Sequence, residues 1–238
     1  MKIITNEKLV RRNSRLGQIT SMGGLLVLAG GMYVSFRYPE QVGVAWIALF
    51  AGFAMSQIGL YYGNRWGRRP RPDEHLAVAL KSMDDRYTLY NYCTPVSNLL
   101  LGPAGLWVLM PHHQTGKIVY EKGRWRQKGG GFLQAYLRLF AQEGIGRPDL
   151  EVPAELDALQ RFLKKRLSEE EMPELNAALV FTSEKAEIEA ADAPIPTVPA
   201  AKLKELLRKN VKEKGFTPDK IKLVQDALAV DIPAQEQS

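Results

Sequence analysis

Two long stretches without a charged residue mark the start of the chain: residues 16–36, between Arg15 and Arg37, and residues 41–64, between Glu40 and Arg65. At about 1.5 Å per helical residue, each is long enough to cross a hydrocarbon layer of about 30 Å. A core helix of a soluble protein keeps a polar stripe for water, and neither stretch has one wide enough. The pattern predicts a helical hairpin over 16–62 that crosses a bilayer twice. Its turn is residues 37–41, where Pro39 stops the helix. A cleavable signal peptide would also begin with a basic segment. Here, however, the first run lacks an A-x-A site and leads straight into the second.

Beyond residue 72 the periodicity becomes that of a packed α/β domain. Asp73 is the expected N-cap of a helix over 74–83, in which Leu76, Ala79, Leu80 and Met83 share one face. Strands are predicted over 87–93, 96–101 and 105–110. The last two are nearly continuous apolar runs around the turn Gly102-Pro103-Ala104, as suits strands buried on both faces. Residues 117–121 and 124–128 flank Lys122-Gly123 and predict a hairpin. Helices are expected over 132–142, after Gly129-Gly130-Gly131, and over 154–167, where Leu156, Leu159, Leu163 and Leu167 form a stripe. A strand over 177–181, a passage containing Pro194, Pro196 and Pro199, and a helix over 202–209 come next. A last helix begins at Thr217-Pro218, with a disordered tail after Pro233. The expected organisation is a basic N-terminus (1–15), the hairpin (16–62), a juxtamembrane linker (63–72), an α/β domain (73–210) and a C-terminal helix and tail (211–238).

Charge refines this picture. Lys2, Lys8, Arg11, Arg12 and Arg15 precede the first run, and Arg65, Arg68, Arg69 and Arg71 follow the second, whereas the turn holds only Arg37 beside Glu40. Lys and Arg accumulate on the cytoplasmic side of short loops, so both termini are expected in the cytoplasm and the span in the inner membrane. Tyr33, Tyr38, Tyr61, Tyr62 and Trp66 cluster at the expected boundaries, where amphipathic rings favour the headgroup level. Residues 1–71 hold ten of the 32 Lys and Arg and two of the 26 acidic residues, a net +8 that leaves −2 for the remainder. The high pI therefore belongs to the membrane flanks and does not mark the α/β domain as a binder of nucleic acid. The lone Cys93 excludes an internal disulfide framework and fits a reducing compartment.

The segments DEHLAVAL, LLLGPAGLWVLM, TGKIVYEKGRW and ALVFTSEKAEI, followed by PAAKLKELL, occur over 73–209 in the order helix, three strands, hairpin, helices, strand, helix. In this order they resemble the nuclease-related domain known as NERD. The resemblance implies a restriction-endonuclease-like mixed sheet flanked by helices. It also implies a site in which an acidic residue ahead of one strand and an E-x-K pattern on the next hold Mg²⁺ and activate water. Laid onto this chain, the helix acid is Glu74, the strand acid falls at Asn98, and E-x-K falls at Met110-Pro111-His112. Met110 offers a soft thioether where a hard oxygen is needed, Asn98 has no charge, and His112 is not a permanent cation at neutral pH. The expectation is a catalytically silent member with no cofactor, Mg²⁺ being required only if a nuclease with a non-standard site is retained as the alternative.

Other clusters carry less. His112 and His113 are adjacent, so on a strand they face opposite ways and do not share a metal. Asp84-Asp85 forms a polar turn, and residues 169–171 a solvated acidic helix end. Lys117, Lys122, Arg124, Trp125, Arg126 and Lys128 form a basic patch around an aromatic, the one place for a nucleic acid or an anionic lipid to dock. Strand alternation also accounts for it, with Trp125 in the core and the charges solvated, and this reading is preferred. No Ser-His-Asp set, P-loop or dinucleotide-binding glycine pattern is present. Ala48, Gly52 and Ser56, with Gly31 and Ser35, allow close helix contact, either within the hairpin or with a second copy. The expected partners are thus the lipid bilayer and a protein, possible self-association included. Full-length protein is expected to stay with membranes through alkaline carbonate extraction and to hold a reporter fused at Ser238 inside the cell. Release by carbonate, or an external reporter, would remove the hairpin reading.

Overall fold

The computed structural model describes residues 1–128 and 144–229, so the helix expected over 132–142 and the tail after Pro233 lie outside the described residues. The chain divides into two units, Glu7–Arg71 and a second made of Met1–Asn6 together with the chain from Pro72 onward.

The first unit is helical. Helix α1 (Glu7–Arg37) and helix α2 (Val42–Tyr62) are joined by one 3-10 turn, Pro39–Gln41, and both are long and apolar enough to cross a membrane. Met22, Leu26, Phe36, Ile47 and Phe50 are all more than three-fifths exposed, so the outer surface is apolar. The seam between the helices is made of backbone. Gly17, Gly24 and Gly31 recur every seventh residue on α1, and Gly52 and Gly59 keep the same interval on α2; all five are buried. A Cβ placed at Gly24 would lie 2.9 Å from the Gly52 carbonyl oxygen, and one at Gly31 would lie 2.5 Å from Ala48 Cβ. Removing side chains along one line lets the two backbones meet, and a seven-residue interval keeps that line turned inward as the helices wind. Gly31, Ala48, Gly52 and Ser56 thus contact the opposite helix of the same chain, while Ser35 stays exposed.

Two features of this unit depart from expectation. Helix α1 starts at Glu7, well before its apolar run, because residues 7–12 include the good helix formers Glu, Lys, Leu and Arg. The predicted linker instead continues α2 through a π-helical turn, Gly63–Gly67, which buries Trp66.

The second unit is a layered α/β structure. A six-stranded mixed sheet has the order β1-β2-β3-β4-β7-β9, built from β1 (Lys2–Thr5), β2 (Thr88–Asn91), β3 (Asn98–Gly102), β4 (Gly105–His112), β7 (Leu175–Phe181) and β9 (Thr197–Pro199). Strands β2, β3 and β4 form an antiparallel meander, while β1, β7 and β9 join their neighbours in parallel. A smaller sheet is made of β5 (Gly116–Glu121), β6 (Arg124–Lys128) and β8 (Ala186–Glu189), in the order β6-β5-β8. Lys122 and Gly123, at φ 52° and 76°, close the β5–β6 hairpin with the left-handed pair that matches strand twist.

Alternation assigns each face of the large sheet. Leu89, Leu100, Trp107, Leu109, Ala178 and Val180 pack against Leu76 of helix α3 (Pro72–Ala79), against Leu80 in the turn just after it, and against Leu203 and Leu207 of helix α5 (Leu203–Lys214). Leu99, Leu101, Val108, Leu179 and Phe181 face helix α4 (Pro148–Leu163), helix α6 (Pro218–Ala229) and the small sheet, meeting Leu159, Leu163, Val224 and Ile118. Both faces are covered, which is why β3 and β4 read as unbroken apolar runs.

Asp73 is not an N-cap outside the helix. Helix α3 begins at Pro72, where a missing N–H costs nothing, and Asp73 is buried, accepting a hydrogen bond from the Tyr92 hydroxyl at 3.1 Å. Strand β1, which the sequence presents only as a basic flank, pairs with β2 from Lys2↔Thr88 to Thr5↔Asn91. Its Ile4 enters the core, and Asn91 Nδ2 donates to Thr5 Oγ1 at 3.1 Å. The helical unit is therefore an insertion between the first and second strands of one sheet. Ile4→Ala is expected to cost the sheet unit about 2 kcal/mol or more in chemical denaturation, as for other buried Ile truncations. Wild-type stability would mean that β1 does not belong to the sheet.

Candidate functional site

Glu74, Asn98, Met110 and His112 are the positions at which the nuclease-like pattern would place its metal-binding and water-activating groups. Glu74 lies on α3, against the face of the sheet that carries Leu100 and Leu109. Asn98 is two residues from Leu100 on β3, shares that face and is buried. Its Oδ1 has no hydrogen-bond donor, and neither has Oδ1 of Asn91, its register partner on β2.

Met110 and His112 point the other way. Met110 packs against the cluster that contains Val108 and Leu179, and the His112 ring stacks on Phe181 of the same cluster, with centroids 5.3 Å apart and planes 21° from parallel. The four positions are thus split between two faces of one sheet and do not converge on a single ion. Sliding the E-x-K pattern by one residue reaches the face of Glu74 at Leu109 and Pro111, which sit beside Ala178 and Val180 and bring no oxygen or charge. Among the described residues, no group of three or more His, Cys, Asp or Glu side chains converges as a metal site would require.

The basic patch also changes character once folded. Trp125 is buried, its indole N–H donates to Thr197 Oγ1 at 3.0 Å, and its ring leans on Tyr120 with centroids 4.7 Å apart. It offers no face for a base to stack on. Lys117 is ion-paired with Glu189 at 2.8 Å, and Lys128 with Glu121. These partners hold the Lys117 ammonium above its usual range and the Glu121 carboxyl below its own. The exposed charges left over are Lys122, Arg124 and Arg126.

Other reactive groups are quenched by burial. The Cys93 thiol lies 3.3 Å from the Asn91 carbonyl oxygen, and burial pushes its pKa up to about 11, so almost none is thiolate at neutral pH. Burial likewise pushes Tyr90 up to about 12. His112 is held down to about 4, first by burial, then by the nearby His113, against a smaller opposing effect of the neighbouring Gln114 side chain. Its Nε2 has no partner, while Gln114 Nε2 donates to the Gly144 carbonyl at 2.9 Å. His112 thus behaves as a neutral core aromatic.

The sequence reading passed over two features: the buried Asp73–Tyr92 pair, for which no local signal exists, and the glycines at seven-residue intervals, for which one does. No protein-family model matches the chain, no curated protein matches it, and no solved structure matches it.

The state of His112 makes stability depend on pH. In the folded chain it stays neutral down to about pH 4, whereas unfolded it takes up a proton below about pH 6.5, so falling pH favours unfolding across that window. The contribution approaches about 3 kcal/mol by pH 4. His112→Phe keeps a ring on Phe181 and is expected to flatten that part of the profile in denaturant titrations at several pH values. An unchanged slope would show that His112 is not the group responsible.

Proposed function

We propose that this chain is a two-pass inner-membrane protein whose sheet unit is a degenerate NERD-like domain, catalytically silent, working in the cytoplasm as a binding or scaffolding module. The observation that carries this reading is the pairing of β1 with β2 across the inserted hairpin. Two strands of one sheet lie on one side of any bilayer, so a hairpin inserted between them must cross an even number of times. The charge count names that side as the cytoplasm. Two chain connections, in place of one flexible tether, hold the sheet unit at the membrane, as suits a protein that presents a surface there.

The endonuclease-like reading is supported by the order of elements: a helix, a three-stranded meander, a hairpin, a helix, and a strand parallel to the last of the meander. Catalytic silence is supported by ligand chemistry. Glu74 is the one carboxylate among the four positions, and a single carboxylate does not hold Mg²⁺ in place for phosphodiester hydrolysis. The alternative is a membrane-tethered nuclease with another ligand set. A nucleic-acid-binding protein that does not cleave is a third reading, disfavoured by the enclosed Trp125.

A fragment starting at Asp73 would lack β1, so the test uses the full chain in detergent with DNA or RNA and Mg²⁺ or Mn²⁺. No cleavage above a protein-free control is expected, and none that changes in Glu74→Ala. Cleavage abolished by Glu74→Ala would establish the nuclease. Binding without cleavage that weakens steeply with salt, and weakens further in Arg124→Ala, would establish the third reading.

A further inference from the structure

We infer that the first turns of α1 hold the headgroup of one anionic phospholipid of the cytoplasmic leaflet, a site that rests on the membrane reading above. Lys8, Arg11, Arg12 and Arg15 follow one another at intervals of three, one and three residues, which places all four along one side of the helix. All four are exposed, and among the described residues none has an acidic side chain within ion-pair distance. Like charges three and four residues apart oppose helix formation, yet the helix runs through them without a break. A diester phosphate shared among them removes that repulsion, and guanidinium groups match its oxygens in pairs.

The geometry selects a lipid over a free anion. The four cations line a groove of about 590 Å³ whose wall continues into Leu16 and Ile19, with Tyr62 from α2. Ile19 is 61% exposed, and it leads along α1 to Met22 and Leu26, which are more exposed still. A ligand here has its charge among arginines and an apolar continuation along the helix. Inorganic phosphate uses only the first part of such a groove, whereas a phospholipid uses both. Helix length agrees with this placement. At about 1.5 Å per residue the helix is about 46 Å long, so about ten residues extend past a hydrocarbon layer of about 30 Å. The charges fall in those residues and the apolar surface begins where they end.

The test is native mass spectrometry of the full chain, delipidated in neutral detergent and offered equal amounts of phosphatidylglycerol and phosphatidylcholine, with inorganic phosphate as a third arm. Retention of one phosphatidylglycerol is expected at about tenfold or more over phosphatidylcholine, with no competition from millimolar phosphate. R11Q together with R15Q is expected to reduce that preference about 25-fold and so to abolish a tenfold preference, since each cation near an anionic surface is worth roughly a fivefold change. R68Q, which removes an exposed charge outside the groove, is expected to leave it intact. Equal retention of the two lipids, displacement by phosphate, or an undiminished preference in the double variant would each overturn the site. If the double variant fails to insert, the lipid and phosphate arms on the wild-type chain decide alone. Release of the wild-type chain by alkaline carbonate would instead sink the membrane reading, so the two failures are told apart.

Discussion

Everything in this molecule depends on a short parallel pairing between β1 and β2, whose partners are 86 residues apart in sequence, as in Lys2↔Thr88. Closing so long a loop costs conformational entropy that rises slowly with length. A rigid antiparallel hairpin brings its own two ends together and offsets much of that cost. The glycine seam and the strand pairing therefore depend on one another. Backbone contact at Gly24 and Gly52 returns the chain to its starting point, and the pairing of Ile4 with the sheet gives that return a destination.

The same constraint shapes what the sheet unit can do. Both faces of the large sheet are covered by helices or by the small sheet, so Asn98 and His112 are enclosed by packing, while Glu74 and Met110 are half-buried. Asn98 is buried with an unmatched oxygen, and His112 is buried and neutral. An unmatched buried amide oxygen of this kind costs about 1–3 kcal/mol. Exposed positive charge is left on the arginines of β6 and on the cations at the start of α1.

Periodicity within a short window made much of the architecture readable. The uncharged runs stood out because a span needs about twenty apolar residues in sequence. Strands β3 and β4 were apparent because two-sided burial leaves no polar position, and the β5–β6 hairpin because Lys122-Gly123 is a turn pair. Where the reading missed, the signal was either short or remote. Strand β9 is three residues ending in Pro199, tolerable only because an edge strand can lack a donor, and it shows no alternation to detect. Strand β1 is hidden inside a basic flank. The turn over Gly63–Gly67 continues a helix through glycines that, read locally, argue for a break.

The sequence by itself determined the two apolar spans, the confinement of net positive charge to their flanks, the alternation that builds the α/β core, and the lack of a carboxylate at Asn98 and Met110. All of these are properties of residue type and local spacing. Tertiary structure alone decided that Lys2–Thr5 is a strand of the sheet beyond the hairpin, that Asn98 and Met110 face opposite ways, that Trp125 is closed off from ligands, and that four cations share a groove with Leu16 and Ile19. Each of these depends on which distant segment lies alongside or on which face a register presents. A strand's hydrogen-bonding groups are the same for every possible neighbour, so its partner is chosen by the packing of the whole.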